Sequence, residues 1–267
     1  MFLSEPNRTN YDLNFSVFGI PVRVHPAFLV LPVVLGASLL RDPEYNAGLI
    51  LIGLIAIFFV SVLVHELGHS LAFRYYGLPS RIVLYWMGGL AIPESASSFG
   101  APRRSGLTPN QQIVVSLAGP GMGFLLAALL VGLVYAIGGQ ILYEQDGVFP
   151  ILFADLSQSA LGSSPYLRLI SLMVYVGLFA NIFINVLNLV PVFPLDGGQV
   201  LRQIFLQTDT VNGLRHSIIV SIVVAIAIAV YSFMTSDQFI AFFFGFMAWS
   251  NYMTLQQMNP WSGSRPW

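Results

Sequence analysis

Hydrophobic residues are concentrated in six long runs, separated by shorter segments that carry most of the polar residues. The runs cover approximately residues 26–40, 47–76, 111–137, 166–190, 214–233 and 238–258. A helix needs about 20 mostly apolar residues to cross a bilayer, so a series of such runs predicts membrane spans. The pattern therefore predicts an all-α polytopic membrane protein with six transmembrane helices, in which residues 1–267 form a single transmembrane domain.

The segment 81–93 interrupts this pattern, because it is too short to span a membrane as a helix. It is rich in strand-forming residues around Gly88 and Gly89, which predicts a short membrane-associated β-hairpin with its turn at these glycines. Two interpretations of the hairpin remain open. It either rests at the membrane interface, or it dips beside the metal site expected in the second span and offers an edge that an extended peptide could pair with.

Glycine and proline also mark the ends and the contacts of the predicted helices. The second span is predicted to stop at Gly77, with Pro79 just beyond it. Within the third span, the segment 118–123 carries three glycines and a proline, and small residues of this kind favour close helix packing. Residues 138–165 are predicted to form a loop whose apolar pieces pack at the interface.

Composition agrees with a membrane protein and excludes several other classes of protein. Of the 267 residues, 56% are hydrophobic and only 9% are charged, whereas soluble domains carry about 25% charged residues. Mean hydropathy is +0.75. The net charge of -1 suggests no nucleic-acid partner. The chain has no cysteine, which excludes disulfides, thiolate metal sites and a cysteine nucleophile.

The distribution of arginine predicts the orientation of the spans. All 11 basic residues are arginine, and with six spans and an inner N-terminus only Arg41 and Arg168 fall on the outer side. Because positive residues favour the cytoplasmic side, both termini are predicted to be cytoplasmic. The expected location is the lipid bilayer of the plasma membrane, as a multi-pass protein.

The second run contains the one cluster of ionisable side chains that stands out in an otherwise lipid-like segment. His65 and His69 are four residues apart, so a helix places both imidazoles on one face, where they can bind one metal ion. Glu66 lies about 100° round the helix from His65, from where it can reach a water bound at the metal's open position. This arrangement is typical of zinc hydrolases. The alternative is a satisfied polar cluster within a helix bundle, although such groups are costly in a membrane.

A second polar position stands where the fourth span ends, in the proline- and glycine-rich segment 191–198. Asp196 lies in this break, and Asp-Gly is also an ordinary turn sequence. The predicted topology brings the second and fourth spans to the same membrane face, so Asp196 and the two histidines should lie at one depth. Asp196 is then the natural third metal ligand, with a fourth position left for water. Asn181, Asn185 and Asn188 precede it and share one helix face.

These residues together resemble the site-2 protease family of intramembrane zinc metalloproteases. The resemblance rests on the motif at 65–69, on Asn188-Leu-Val-Pro-Val-Phe-Pro-Leu-Asp196-Gly-Gly, and on the segment 19–26 before the first span. It implies one zinc ion per chain held by His65, His69 and Asp196, with Glu66 as the catalytic base. It also implies a compact member without the PDZ or CBS domains of other members. Gly123 stands near a position where members often carry asparagine, so no site residue is assigned there.

The function implied by this resemblance is regulated intramembrane proteolysis, the hydrolysis of a peptide bond within or near a transmembrane helix of a substrate protein. Asn185 or Asn188 could donate a hydrogen bond to the developing oxyanion, and helix packing is an equal alternative for both. A second hypothesis is a catalytically inactive pseudoprotease that binds membrane-protein partners. A third is a metal transporter, which would need ionisable groups near the midplane and access from both sides. The oligomeric state is left open.

Overall fold

We describe a computed structural model of the chain, which covers residues 5–37, 39, 46–86, 88–94, 106–145, 150–162, 164, 166–235 and 237–258. Helices and strands alternate along the first two-thirds of the chain, and the elements described in the last third are helices. The elements are, in order, β1 (Leu13–Val17), β2 (Ile20–Val24), a 3-10 helix (Pro26–Leu29), α1 (Val30–Leu35), α2 (Ala47–Tyr75), β3 (Ser80–Tyr85), β4 (Gly88–Pro93), α3 (Pro109–Ala136), β5 (Gln140–Gln145), β6 (Pro150–Asp155), α4 (Leu167–Asn188), α5 (Asp196–Thr208), α6 (Gly213–Met234) and α7 (Gln238–Gln257).

Four helices in the described part of the chain have the length and apolar composition of membrane spans, namely α2, α3, α4 and α6. They match the second to fifth predicted spans. The structure does not confirm six. The first predicted span begins with the 3-10 helix and the six-residue α1, which is capped at Gly36. α7 covers the sixth run with 20 residues, but it is not among the four helices.

The all-α prediction is wrong in one respect, because two small sheets accompany the helices. The first sheet has four strands in the order β1-β2-β3-β4. β2 and β3 run parallel. The connection between them contains α2, and parallel strands need a long crossover connection of this kind. β3 and β4 form the predicted hairpin, yet Tyr85 pairs with Gly88 and Leu84 with Gly89. The two glycines therefore belong to β4 rather than to the turn.

The second sheet is the hairpin of β5 and β6, which replaces the loop predicted for residues 138–165. Its strands contain the apolar stretches Ile141-Leu142-Tyr143 and Ile151-Leu152-Phe153, and such residues favour strands. Ala154 and Leu156 are buried in a small cluster together with Val134 of α3. The apolar residues of this segment therefore pack within a hairpin, rather than in the interfacial loop that the sequence predicts.

The chain divides into two compact units, the first formed by Met1–Arg104 and Ala118–Asn185, the second by Ser105–Leu117 and Val186–Trp267. In the first unit, α2 and the four-stranded sheet share one core, to which Phe58, Ile82 and Val176 contribute buried side chains. In the second unit, α6 and α7 share a core to which they contribute the buried side chains of Ala225, Phe244 and Met247.

Both ends of α2 are capped by hydrogen bonds, so the residues at which this helix begins and ends are well defined. Asn46 Oδ1 accepts hydrogen bonds from the backbone N–H groups of Gly48 and Leu49. At the other end, Gly77 has a φ of 77°, and its N–H and that of Leu78 bond to the carbonyls of Arg74 and Phe73. This is the glycine-dependent C-terminal motif that satisfies the last carbonyls of a helix. The predicted helix stop at Gly77 is therefore confirmed.

Ion pairs attach the N-terminal segment to the sheet beside α2. Arg23, which is buried, bonds to Asp12 and to Glu5 at 2.9 Å each. Arg81 of β3 bonds to the second oxygen of Glu5 at 2.8 Å. This hydrogen bond holds the pKa of Glu5 below its ordinary value of 4.5, so the carboxylate stays charged and keeps β2 and β3 tied to the segment that precedes them.

Candidate metal centre

His65 and His69 lie in the buried C-terminal half of α2, a helix that is otherwise mostly apolar. Each side chain is 8% exposed, and their Nε2 atoms are 3.1 Å apart. Two ligands of a tetrahedral zinc ion at 2.0–2.1 Å lie about 3.3 Å from each other. The two imidazoles are therefore already arranged nearly as one zinc ion would hold them, as their spacing in the sequence predicted.

A hydrogen bond fixes the far side of the first histidine. His65 Nδ1 lies 2.7 Å from Asn185 Oδ1 of α4. Asn185 is itself anchored, because its Nδ2 donates to the carbonyl of Asn181 at 2.6 Å. A histidine that donates through Nδ1 leaves the lone pair of Nε2 for a metal. The sequence placed Asn185 on the right helix face but did not predict this contact.

Glycines let α3 approach the histidine face of α2 more closely than any other residue would allow. A Cβ added at Gly68 would collide with the backbone carbonyl of Ala118, and one added at Gly119 would collide with the imidazole of His69. Backbone and ring atoms at this depth cannot move aside cheaply in a packed interior. The packing role predicted for the glycines of the third span is confirmed for Gly119, and Gly68 makes the matching contact from α2.

Glu66 is 5% exposed and faces the β3–β4 hairpin. A Cβ added at Gly89 of β4 would collide with the carboxyl group of Glu66, so this glycine gives the carboxylate its space. Burial raises the pKa of the Tyr85 hydroxyl on β3, and the negative charge of Glu66 raises it further. The hairpin therefore lies beside Glu66, while its depth in the membrane stays a prediction. The sequence predicts Gly89 in the turn and therefore gives no sign of this contact.

Asp196 is the first residue of α5 and partly buried. Its position within its unit is set by the backbone around it. Pro191 and Pro194 follow the end of α4 and keep the segment irregular. Phe193 anchors this segment, because its N–H donates to Ser221 Oγ at 3.0 Å and its carbonyl accepts from Asn251 Nδ2. Gly197 and Gly198 then pack with no room for a Cβ against the backbone at Leu189 and Val192. The sequence predicted the break, but not that Asp196 begins a new helix.

His65 and His69 offer two imidazole nitrogens in the first unit, and Asp196, the predicted third ligand, offers a carboxylate in the second unit. Two imidazoles and one carboxylate are a ligand set that zinc accepts in catalytic sites, where a fourth position stays open for water. The donor set therefore fits the metal implied by the motif. Asn188, the remaining predicted site residue, is the last residue of α4 and is partly buried.

Known proteins that are similar to this chain include zinc metalloproteases. Residues 53–230 match the model of peptidase family M50. The zinc metalloprotease MJ0392 of Methanocaldococcus jannaschii is 30% identical over 198 residues, which are 73% of this chain and 46% of that protein. The Synechocystis sp. protein sll0528 is 34% identical over 200 residues, 72% of this chain and 43% of that protein. The chain thus spans less than half the length of these two curated relatives.

A solved structure shows the same fold at low sequence identity. The site-2 protease from Methanocaldococcus jannaschii aligns with a TM-score of 0.53 and 19% identity, covering 96% of this chain and 100% of that chain. The four apolar helices and the family match together identify an integral membrane protein. Because the family model covers about two-thirds of the sequence, the chain belongs to peptidase family M50, the site-2 protease family.

Proposed function

We propose that this protein is an intramembrane zinc metalloprotease that hydrolyses a peptide bond within or near a transmembrane helix of a membrane-protein substrate. The observation that carries the proposal is the buried pair His65 and His69, with Nε2 atoms 3.1 Å apart and Glu66 beside them on a membrane helix. A pair of histidines and a carboxylate in such a helix are costly unless they have a function. Such cleavage would serve regulated intramembrane proteolysis.

One zinc ion per chain would be held by His65, His69 and Asp196. Zinc in a three-ligand site supplies a Lewis acid that acidifies water and polarises a carbonyl group. The names of the relatives and the donor set support zinc over other metals. The assignment of Asp196 rests on its partly buried position and on its occurrence directly after a proline-containing break, as in the motif quoted above.

Glu66 would act as the general base and then as the general acid. Its carboxylate would take a proton from the attacking water and deliver it to the amine of the departing peptide, so one group serves both transfers. The environment of Glu66 suits this role. The side chain is nearly fully buried, and the absence of a side chain at Gly89 leaves space on its hairpin side.

β4 would hold the substrate in an extended form. A peptide bond in a helix is shielded by the helix itself, so the substrate must unwind locally before it can be cleaved. β4 is an edge strand of the four-stranded sheet in the described part of the chain, and Gly89 places that strand next to Glu66. An extended peptide added to this edge would gain main-chain hydrogen bonds while lying close to the base.

The oxyanion would be stabilised by Asn188, which we favour over Asn185. The amide of Asn185 is already engaged on both sides, by His65 and by the carbonyl of Asn181, so it is poorly placed to donate to a substrate.

We retain the cytoplasmic placement of both termini and the plasma membrane as proposals. Of the arginines on which the orientation depends, Arg41, Arg103, Arg104 and Arg265 lie outside the described residues.

A cleavage assay in liposomes tests this function. The purified full chain is reconstituted with a library of single-span membrane proteins, and new peptide ends are identified by mass spectrometry. We expect cuts within or next to transmembrane segments, loss of cleavage with a zinc chelator and recovery on adding zinc. Cleavage that persists in the chelator and in a His65→Ala variant would refute the proposal. Zinc binding without any cleavage would favour the pseudoprotease instead.

A further inference from the structure

A chain of hydrogen bonds runs along the interface between α2 and α4 and ends at the first histidine. Asn181 Nδ2 donates to Ser61 Oγ and to the carbonyl of Gly177, both at 2.8 Å. Asn185 Nδ2 donates to the carbonyl of Asn181 at 2.6 Å. Asn185 Oδ1 then meets His65 Nδ1 at 2.7 Å. All of these side chains are buried, and Asn181 and Asn185 are 1% and 2% exposed.

The bond to the carbonyl of Asn181 determines which way the amide of Asn185 points. The reverse orientation would bring two oxygen atoms, Asn185 Oδ1 and the Asn181 carbonyl, within hydrogen-bond distance of each other without a proton between them. Only the observed orientation satisfies both ends of the amide. Its oxygen must therefore accept a hydrogen bond from His65, so His65 carries its proton on Nδ1.

This protonation state determines what His65 can do at its other nitrogen. A neutral imidazole with its proton on Nδ1 has a lone pair on Nε2, and Nε2 is the atom that lies 3.1 Å from His69. The wrong tautomer would point a proton at the place where the metal binds. Asn185 thus selects the form of His65 that can act as a ligand, and the bonds to Asn181 and Ser61 hold Asn185 in place.

Gly123 of α3 makes room for this amide. A Cβ added at Gly123 would collide with the Nδ2, Cγ and Oδ1 atoms of Asn185, whereas a Cβ added at Gly121, two residues earlier, would meet nothing within 4 Å. Gly123 therefore leaves the space that the Asn185 amide fills. This contact explains why glycine stands at a position to which the sequence assigned no function.

We propose that Asn185 is a positioning residue for the metal ligand His65, and that Gly123 provides the space in which it does so. The inference rests on the proposed zinc site and assigns Asn185 a role other than oxyanion stabilisation. Hydrogen-bond partners of metal-bound histidines fix both the tautomer and the orientation of the ring, and their removal typically costs about 10–100-fold in metal affinity.

The test compares the zinc dissociation constants of purified full-length variants, measured by competition with a chelator. Asn185→Leu removes the acceptor, and we expect it to weaken zinc binding by about 10–100-fold. Asn185→Asp keeps an acceptor for Nδ1–H but replaces the donor to the Asn181 carbonyl with a second oxygen, so we expect it to weaken zinc binding less than Asn185→Leu does. Gly123→Ala should weaken binding in the same direction as Asn185→Leu, and Gly121→Ala is the matched control that should change nothing.

A second readout does not depend on zinc. In metal-free protein labelled with 15N-histidine, the nitrogen chemical shifts report the tautomer of His65. We expect the Nδ1–H form in the wild type and in Gly121→Ala, and a mixture of tautomers in Asn185→Leu and Gly123→Ala. If Asn185→Leu does not fold, the two glycine variants decide the question by themselves.

The two readouts separate failure of this inference from failure of the zinc site. Unchanged zinc affinity and an unchanged tautomer in Asn185→Leu or Gly123→Ala would overturn the role of Asn185 while leaving the zinc site intact. An equal loss of affinity in Asn185→Asp and Asn185→Leu would also overturn it, because the restored acceptor would then have no effect. The wild-type chain could bind no zinc while Asn185→Leu still loses the Nδ1–H form of His65. That result would refute the zinc site and support the role of Asn185 in setting the tautomer of His65.

Discussion

Replacing Glu66 with glutamine is expected to abolish cleavage while leaving zinc bound. The amide of glutamine matches the carboxylate in size, so it fits the buried space beside Gly89, but it cannot accept a proton from water. Loss of a general acid–base group typically costs about 10²–10⁴-fold in rate. Because Glu66 is not a ligand in the proposed site, zinc content should stay at the wild-type level. The measurement is cleavage of an identified substrate in liposomes, alongside metal analysis of the same preparation.

The matched control for this variant is Glu144→Gln. Glu144 lies in the second hairpin and is exposed, so the substitution makes the same chemical change away from the proposed site. It should retain wild-type cleavage. If Glu66→Gln cleaves at a rate similar to that of Glu144→Gln, the assignment of the base is wrong. If Glu66→Gln loses zinc as well as activity, Glu66 holds the metal rather than the proton.

Replacing Asp196 with asparagine is expected to produce the second large effect, a loss of zinc affinity of more than about 10²-fold. Structural zinc sites bind with an apparent free energy of about 10–16 kcal/mol, shared among their ligands, so one missing carboxylate removes several kcal/mol. Asparagine has the same shape and keeps Gly197 and Gly198 at their places. The loss should therefore come from the ligand rather than from the helix that Asp196 begins.

Asp237→Asn provides the comparison for this second variant. Asp237 also precedes a helix, α7, and is exposed without a side-chain capping bond. The zinc dissociation constant of each variant is measured by chelator competition, together with its melting temperature in detergent. Wild-type affinity in Asp196→Asn would show that the third ligand is another group, and Asp196 would then be only the first residue of α5.

The parts of the site that were predictable from the sequence are those that depend on local geometry. The spacing of His65 and His69 determines that they share a helix face, and the structure brings their nitrogens together. The glycine at 77 ended the helix as predicted, because a left-handed residue is needed there. The segment 81–93 predicts a hairpin because it is rich in strand-forming residues and too short to cross a membrane as a helix.

The parts that escaped prediction depend on tertiary contacts. Gly89 pairs with Leu84 in the hairpin, and its missing side chain leaves room for Glu66, which lies on another element. Asn185 reaches His65 across 120 positions of sequence, and its neighbour Gly123 acts through the absence of a side chain. The sequence predicts a loop where β5 and β6 form a hairpin, because the hairpin depends on packing against α3, and local sequence patterns do not show such tertiary contacts.

The central claim, a zinc ion held by the histidines of α2, is tested most directly by the metal content of the purified chain. Inductively coupled plasma mass spectrometry is applied to the wild type and to His65→Ala, both purified in detergent and shown to be folded. We expect about one zinc per chain in the wild type and almost none in the variant. A folded wild type without zinc, or equal zinc in both proteins, would contradict the claim.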